Sequence, residues 1–122
     1  MAIILVIDDE EMIRSLVEKI LEKNSHTVLI AETGIEAISL FSDQSDTIEL
    51  VIIDMQLDDL NGFEILTEFR KISAEIPAII SSGQILDKAN IPENINKNIY
   101  FLPKPYKSTQ LTEIVNSILA LV

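Results

Sequence analysis

Five short aliphatic runs constrain the fold of this chain more than any other feature of its sequence. A strand with one face in water alternates polar and apolar residues, whereas a strand buried on both faces of a parallel sheet has no such alternation. These runs are rich in Ile, Val and Leu and lack polar alternation. They cover residues 3–7, 27–31, 50–53, 78–80 and 99–102. The pattern predicts five strands of a parallel sheet that is covered on both sides.

Segments with helical spacing separate the runs. Their apolar residues recur every three or four positions, which is typical of amphipathic helices. They cover residues 11–23, 35–42, 63–72 and 108–120, and Ser108 is the predicted N-cap of the last one. Residues 86–97 contain Pro92 and scattered apolar positions, so we expect a short or irregular helix there. Strand and helix alternate five times, which indicates an α/β fold with a doubly wound parallel sheet.

Length and composition set broad limits on function. At 122 residues we expect one domain, residues 1–122. The apolar runs are too short to insert into a membrane, and the N-terminus lacks the basic leader of a signal peptide. The absence of cysteine fits a cytoplasmic protein. A net charge of −11 opposes direct binding to nucleic acid; it serves either solubility or an acidic cluster that binds a cation, and composition does not choose between them.

Polar residues follow four of the five predicted strands. They are Asp8, Asp9 and Glu10 after the first strand, Asp54 after the third, Ser81 and Ser82 after the fourth, and Lys104 after the fifth. In an open parallel sheet, ligands bind beyond the carboxyl ends of the strands. We therefore expect these side chains to meet at one edge of the sheet.

The joint placement of these residues is what points to chemistry. An acidic residue after a strand is commonly a helix cap, and a serine pair before glycine is commonly a turn. Clustered carboxylates, however, repel one another unless a cation lies among them, and oxygen ligands suit Mg²⁺. A nearby lysine is suited to hold a phosphoryl oxygen, and an Asp carboxylate can itself be the nucleophile that forms an acyl phosphate.

Other chemistries find little support. The sequence has neither a P-loop nor a G-x-G-x-x-G motif for a nucleotide. Its one histidine, His26, lies at the start of the second predicted strand, at the opposite edge of the sheet from the acidic residues. We interpret His26 as an ordinary loop residue and not as part of a hydrolase triad.

Four segments resemble the receiver domains of two-component signalling. They are "ILVIDDEEMIRSLVEKIL", "LVIIDMQLDDLNGFEIL", "IPAIISSG" and "FLPKPY", and together the resemblance spans essentially the whole chain. It implies a flavodoxin-like (βα)5 fold with strand order 2-1-3-4-5. Since that order is the documented one for this family, it is an implication of the resemblance and not a deduction from the pattern.

The resemblance also implies roles for individual residues. Asp54 would accept a phosphoryl group from a sensor histidine kinase or a histidine phosphotransfer protein. Asp9, Asp54 and the backbone carbonyl of Gln56 would bind Mg²⁺, and Asp8 would act through a metal-bound water. Slow self-hydrolysis of the acyl phosphate is expected as well.

Three more positions carry roles by resemblance. Lys104 and the hydroxyl of Ser82 would hold phosphoryl oxygens, and a cis peptide before Pro105 would aim the lysine inward. Ser82 and Phe101 would form the switch. Because the Phe101 ring has no hydroxyl to hold it in water, we expect it to be largely inward. Many receivers carry proline at the position of Asp58, so we expect a more mobile loop there.

Two rival functions remain open at this point. One is a receiver-like module that binds a protein without using phosphorylation. The other is a metal-dependent phosphatase with a nucleophilic Asp, although the sequence lacks the D-x-D pattern and the cap domain of such enzymes. Labelling by a small phosphodonor separates the first rival from a phosphorylation switch, and turnover of a phosphomonoester identifies the second.

Overall fold

Five parallel strands form the centre of the structure, a computed structural model that describes residues 2–84, 89 and 91–120. The strands are β1 (Ile3–Ile7), β2 (Thr27–Ala31), β3 (Leu50–Asp54), β4 (Ala78–Ser82) and β5 (Ile99–Pro103). Their order across the sheet is β2-β1-β3-β4-β5, and every neighbouring pair is parallel. The predicted fold class and strand order are confirmed.

The described part of the chain contains four α-helices, three between successive strands and one after β5, with bounds close to those expected from the apolar spacing. They are α1 (Glu11–Lys23), α2 (Gly34–Gln44), α3 (Gly62–Ile72) and α4 (Ser108–Leu119). The prediction of Ser108 as an N-cap is wrong by one residue: Lys107 is the cap, and its backbone N–H donates to the side-chain oxygen of Gln110 at 2.7 Å. Gln110 thus satisfies a donor at the start of α4.

The segment between β4 and β5 contains a short 3-10 helix, Glu93–Ile95. Pro92 directly precedes it and is its N-cap residue. This agrees with the expectation of a short or irregular helix over residues 86–97. Residues 86–88 and 90 of that stretch lie outside the described part of the chain.

The sheet separates two hydrophobic clusters. The first lies between the sheet and the helices α2 and α3, and the second lies between the sheet and α1 and α4. Successive residues of one strand contribute to opposite clusters: Leu5 belongs to the first, and Val6 to the second. Because both faces are buried, both sets of alternating positions must be apolar, which explains the unbroken aliphatic runs.

Backbone hydrogen bonds hold the residues at the carboxyl ends of the strands in place. The N–H of Asp8 donates to Ala31 at 3.2 Å, and the N–H of Met55 donates to Ser81 at 2.8 Å. At the far side of the sheet, the N–H of Lys104 donates to the carbonyl of Ser82 at 2.8 Å. The polar residues that follow the strands are therefore positioned by the sheet itself.

The aromatic stack between α2 and α3 provides a test of the first cluster. Phe41 and Phe69 are fully buried, and their ring centroids lie 4.2 Å apart. We predict that Phe41→Ala lowers the free energy of unfolding by about 3–5 kcal/mol, because it removes buried contacts and leaves a cavity. Urea denaturation measures the change.

Leu16→Ala is the control, since that side chain is half exposed on α1 and its loss should cost about 0.5 kcal/mol or less. If Phe41→Ala does not fold, Phe41→Leu should show a smaller loss in the same direction. Equal effects of the Phe41 and Leu16 substitutions would contradict the described packing.

Candidate functional site

A pocket of about 370 Å³ opens at the carboxyl-terminal edge of the sheet. Five residues singled out from the sequence line it: Asp9, Asp54, Gln56, Ser82 and Lys104. Glu10, Gly83 and Gln84 complete the lining. Asp8 is buried next to the pocket and contacts Lys104. The structure thus brings together residues that four different strand ends contribute.

Lys104 connects the two buried carboxylates of the site. Its Nζ atom lies 3.2 Å from Oδ2 of Asp8 and 3.4 Å from Oδ1 of Asp54. Burial by itself lowers the pKa of Lys104, but the two carboxylates outweigh it, and the pKa is raised above its ordinary value. Lys104 is therefore a fixed positive charge. The peptide between Lys104 and Pro105 is cis, as predicted.

Asp54 ends β3 with a buried carboxyl group. Only 7% of the residue is exposed. Burial raises the pKa of Asp54 and the charge of Asp8 adds to the effect, while Lys104 and the N–H of Gln56 oppose it without cancelling it. Oδ1 accepts a hydrogen bond from that N–H at 3.3 Å, and within the described residues Oδ2 accepts none. Asp54 thus has one available oxygen, Oδ2. The positive charge around it is too small to offset the effects of burial and of Asp8 on the ionised carboxylate.

The loop after β1 places three carboxylates together. One oxygen from each of Asp8, Asp9 and Glu10 lies within 4.8 Å of the others. Both oxygens of Asp8 are already engaged, Oδ1 by the N–H of Glu10 at 2.9 Å and Oδ2 by Lys104. Oxygen donors of this kind fit a hard divalent cation such as Mg²⁺. Two donor sets are available for it: Asp9 with Asp54 and Gln56 across the pocket, or the acidic triplet with Glu10.

Arg14 supports this acidic loop from α1. Its Nη1 donates to the carbonyl oxygen of Asp8 at 2.9 Å, and its Nη2 lies 3.4 Å from Oε1 of Glu32. The Arg14 side chain is 11% exposed. Sequence reasoning missed this residue, because nothing in helical spacing shows that an arginine turns back to the loop before its helix. It also did not single out Glu10 as a candidate metal ligand, although the acidic triplet was visible.

Ser82 is poised at the rim of the pocket, whereas Phe101 lies on the strand beside it. Ser82 is 5% exposed, and its hydroxyl oxygen accepts a hydrogen bond from the N–H of Gln84 at 3.1 Å. Phe101 pairs with Ile80 in the sheet. It is half-buried and packs against the first hydrophobic cluster.

His26 lies at the other edge of the sheet, as the sequence predicted. Its Nδ1 accepts a hydrogen bond from the backbone N–H of Ala2 at 3.1 Å. This contact ties the residue before β2 to the start of β1. His26 therefore belongs to the packing of the sheet and not to the pocket.

A sequence profile described as the response regulator receiver domain matches residues 4–116. The chain belongs to this family. Among curated proteins, the receiver domain is 29% identical over 120 residues to the sensor kinase CckA of Brucella abortus, covering 97% of this chain and 12% of that protein. It is 29% identical over 118 residues to the transcriptional regulatory protein CpxR of Klebsiella pneumoniae, covering 95% of this chain and 48% of that protein. The chain thus spans less than half of each of these relatives.

Solved structures agree with this assignment. A receiver domain protein from Clostridium thermocellum is 31% identical with a TM-score of 0.88, over 98% of this chain and 95% of that one. The receiver domain of the hybrid histidine kinase CckA is 28% identical with a TM-score of 0.83, over 97% of this chain and 99% of that one. In the described ranges of this receiver domain, no helix is both long enough and apolar enough to cross a membrane.

The raised pKa of Asp54 predicts how this receiver domain responds to pH. A carboxyl group whose pKa is higher in the folded state favours folding at low pH, and this contribution is lost as the pH rises from the ordinary value of 3.8 through the folded value. At neutral pH, without divalent metal, the ionised Asp54 therefore destabilises the fold. We predict that Asp54→Asn raises the free energy of unfolding at pH 7.

Urea denaturation in a chelating buffer measures this gain, which should shrink as the pH falls to 3.8 and below. Asp43→Asn removes an exposed carboxylate from α2 and controls for net charge. A destabilising effect of Asp54→Asn at pH 7 would contradict the proposed electrostatics of the site.

Proposed function

We propose that this receiver domain is a phosphorylation switch that accepts a phosphoryl group on Asp54 in a Mg²⁺-dependent reaction. The observation that carries the proposal is the pair of buried carboxylates, Asp8 and Asp54, that share the ammonium group of Lys104 beside the pocket. That pocket is lined by Asp9, Gln56 and Ser82. The domain would return to its resting state by slow hydrolysis of its own acyl phosphate.

In the proposed transfer, a carboxylate oxygen of Asp54 attacks the phosphorus atom of a phosphohistidine donor. A P–O bond forms and the P–N bond to the imidazole breaks, so that the electron pair leaves with the imidazole. The available Oδ2 supports Asp54 as the nucleophile. Mg²⁺ held by Asp9, Asp54 and the Gln56 carbonyl, with Asp8 acting through water, would supply charge neutralisation at the phosphoryl oxygens.

Lys104 and Ser82 would hold the transferred group. Formation of the acyl phosphate removes the charge of the Asp54 carboxylate that now attracts Lys104, so the ammonium group is free to bind a phosphoryl oxygen while it keeps Asp8. The hydroxyl of Ser82 accepts from the N–H of Gln84, and its own O–H remains available to donate. Both residues therefore hold oxygens by charge or hydrogen bond and need not change protonation.

The signal would leave through β4 and β5. A new hydrogen bond from Ser82 to a phosphoryl oxygen draws the end of β4 inward. Phe101 packs half-buried beside this region, and we propose that its ring turns further inward when Ser82 moves. The output surface would then include β5 and α4. Because part of the Phe101 ring is already buried before phosphorylation, its resting and inward positions would differ little in free energy.

A sensor histidine kinase or a histidine phosphotransfer protein is the proposed donor. One relative is a sensor kinase and another is a transcriptional regulatory protein. Sequences similar to this one thus occur both in a kinase and in a regulator. The net charge of −11 disfavours direct contact with nucleic acid, and we place the domain in the cytoplasm with a protein as its output partner.

Labelling by acetyl phosphate tests the acceptor directly. With Mg²⁺ present, the wild-type chain should gain the mass of one phosphoryl group, because Asp54 is a nucleophile beside a fixed positive charge. Asp54→Asn should fold and remain unlabelled, since an amide does not form the acyl phosphate. Intact-protein mass spectrometry measures the gain.

Asp58→Asn is the matched control, because it removes a neighbouring exposed carboxylate and should keep the label. Labelling of Asp54→Asn would move the acceptor to another residue. A wild-type chain that neither acetyl phosphate nor a kinase labels would instead favour a receiver-like module that binds without phosphorylation.

Metal-dependent stability separates the two donor sets. A ligand that binds only the folded state raises the free energy of unfolding, by about 1.4 kcal/mol at ten times its dissociation constant. We predict that Mg²⁺ stabilises the wild-type chain, that Asp9→Asn and Asp54→Asn lose this gain, and that Asp43→Asn keeps it. Thermal or urea unfolding across a Mg²⁺ series measures the effect. If Glu10→Gln loses the gain while Asp54→Asn keeps it, the metal belongs to the acidic triplet.

A further inference from the structure

The loop between β3 and α3 reaches across to a second helix through one carboxylate. Oδ1 of Asp59 accepts a hydrogen bond from the N–H of Gly34 at 2.9 Å, and Oδ2 accepts one from the N–H of Ile35 at 2.9 Å. These two residues begin α2, where backbone N–H groups have no partner within the helix. Asp59 therefore caps α2 from outside, although it lies 25 residues from Gly34 in sequence.

The helix also has its own N-cap residue, Thr33, which binds a different N–H group. Oγ1 of Thr33 accepts from the N–H of Glu36 at 3.1 Å. Thr33 therefore satisfies the third N–H of α2, and Asp59 satisfies the first two. The N–H groups of Gly34 and Ile35 hold the pKa of Asp59 below its ordinary value, as expected for a carboxylate at the positive end of a helix.

The loop packs closely against this helix end. A Cβ atom at Gly34 would lie 2.9 Å from Cδ1 and 3.0 Å from Cβ of Leu60, so a larger residue there would require Leu60 to shift. Within the loop, the N–H of Leu60 donates to Oδ1 of Asp59 at 3.0 Å. The N–H of Gly62 donates to the carbonyl of Met55 at 2.8 Å, which closes the base of the loop.

The same loop carries the backbone carbonyl that the proposed function assigns to Mg²⁺. Gln56 forms an isolated antiparallel bridge with Asn61, on the far side of Asp59 in the loop. This bridge links the part of the loop that Asp59 holds to Gln56 and to its contact with Asp54. Mg²⁺ requires near-octahedral geometry, so a displaced carbonyl weakens its binding.

We propose that Asp59 is a positioning residue for the metal site, which fixes the β3–α3 loop against the start of α2 and so sets the place of the Gln56 carbonyl. This inference rests on the proposed function of the pocket. It also accounts for how the loop is held where Asp58 stands in place of the proline of many receivers. Asp59, the next residue, anchors a loop that lacks the rigid proline ring.

Three alanine variants distinguish three possible causes of a change in Mg²⁺ binding: loss of the loop anchor, loss of a negative charge, and a weaker start of α2. Asp59→Ala removes the anchor and one negative charge. Asp58→Ala removes the same charge one residue away, where within the described residues the carboxylate makes no hydrogen bond or ion pair. Thr33→Ala weakens the same helix end but leaves the loop attached to it. Titration calorimetry of the unphosphorylated chain with Mg²⁺ gives the dissociation constants.

We expect Asp59→Ala to raise the Mg²⁺ dissociation constant by about tenfold, the lower end of the range for residues that orient metal ligands. Asp58→Ala and Thr33→Ala should change it by roughly twofold or less, because the exposed charge of Asp58 is screened by salt and Thr33 is uncharged and lies outside the loop. Asp59→Asn should fall between, since its amide oxygen still accepts hydrogen bonds although its charge is the same as that of the alanine variant.

Amide hydrogen exchange without metal measures the attachment of the loop to α2 independently of Mg²⁺ binding. In Asp59→Ala, the N–H groups of Gly34, Ile35 and Leu60 should exchange faster. In Thr33→Ala, the increase should centre on Glu36. This comparison reports on the loop whether or not metal is bound.

The outcomes are distinguishable. If the wild-type chain binds Mg²⁺ and Asp59→Ala matches Asp58→Ala, the positioning role is overturned while the proposed function stands. If Thr33→Ala weakens Mg²⁺ binding as much as Asp59→Ala does, the effect belongs to the helix end and the anchor is again overturned. If the wild-type chain binds no Mg²⁺, the proposed function fails, and with it the role of Asp59 toward the metal.

Discussion

Lys104 places its ammonium group 3.2 Å from Asp8 and 3.4 Å from Asp54, and both carboxylates are largely withdrawn from water. One positive charge thus faces two negative ones, and Asp9 and Glu10 add two more at the same edge. Loss of the lysine would leave both buried carboxylates uncompensated, which is costly in a protein interior. The remaining excess of negative charge is what suits the pocket to a divalent cation.

The sheet makes this arrangement possible. Parallel strands bring all their carboxyl ends to one edge, and the order β2-β1-β3-β4-β5 places Asp8 and Asp54 at the ends of the neighbouring strands β1 and β3. Lys104 follows β5, so its side chain must cross β4 to reach them. β4 ends in Ser81 and Ser82, and Ser82 lines the same pocket as Lys104.

The sequence predicted the elements because burial on both faces leaves a local signal in each strand, and helical spacing leaves another. Local pattern also showed that acidic residues, serines and a lysine would share one edge, while the role of each came from resemblance to the family. What it did not show depends on hydrogen bonds from individual side chains. The anchor between Asp59 and Gly34, and the return of Arg14 to Asp8, join groups that no periodicity links. The N-cap of α4 was misplaced by one residue: Lys107 and not Ser108 is the cap, and Gln110 accepts the hydrogen bond from its N–H.

The most direct test of the central claim is a structure of the chain with Mg²⁺ and beryllofluoride, which mimics a phosphoryl group on a carboxylate. The account predicts beryllium bonded to an oxygen of Asp54, with Lys104 and the Ser82 hydroxyl on its fluorides. It predicts the metal between Asp9, Asp54 and the carbonyl of Gln56. A structure with an unmodified Asp54, and with Mg²⁺ bound only by Asp8, Asp9 and Glu10, would contradict the account.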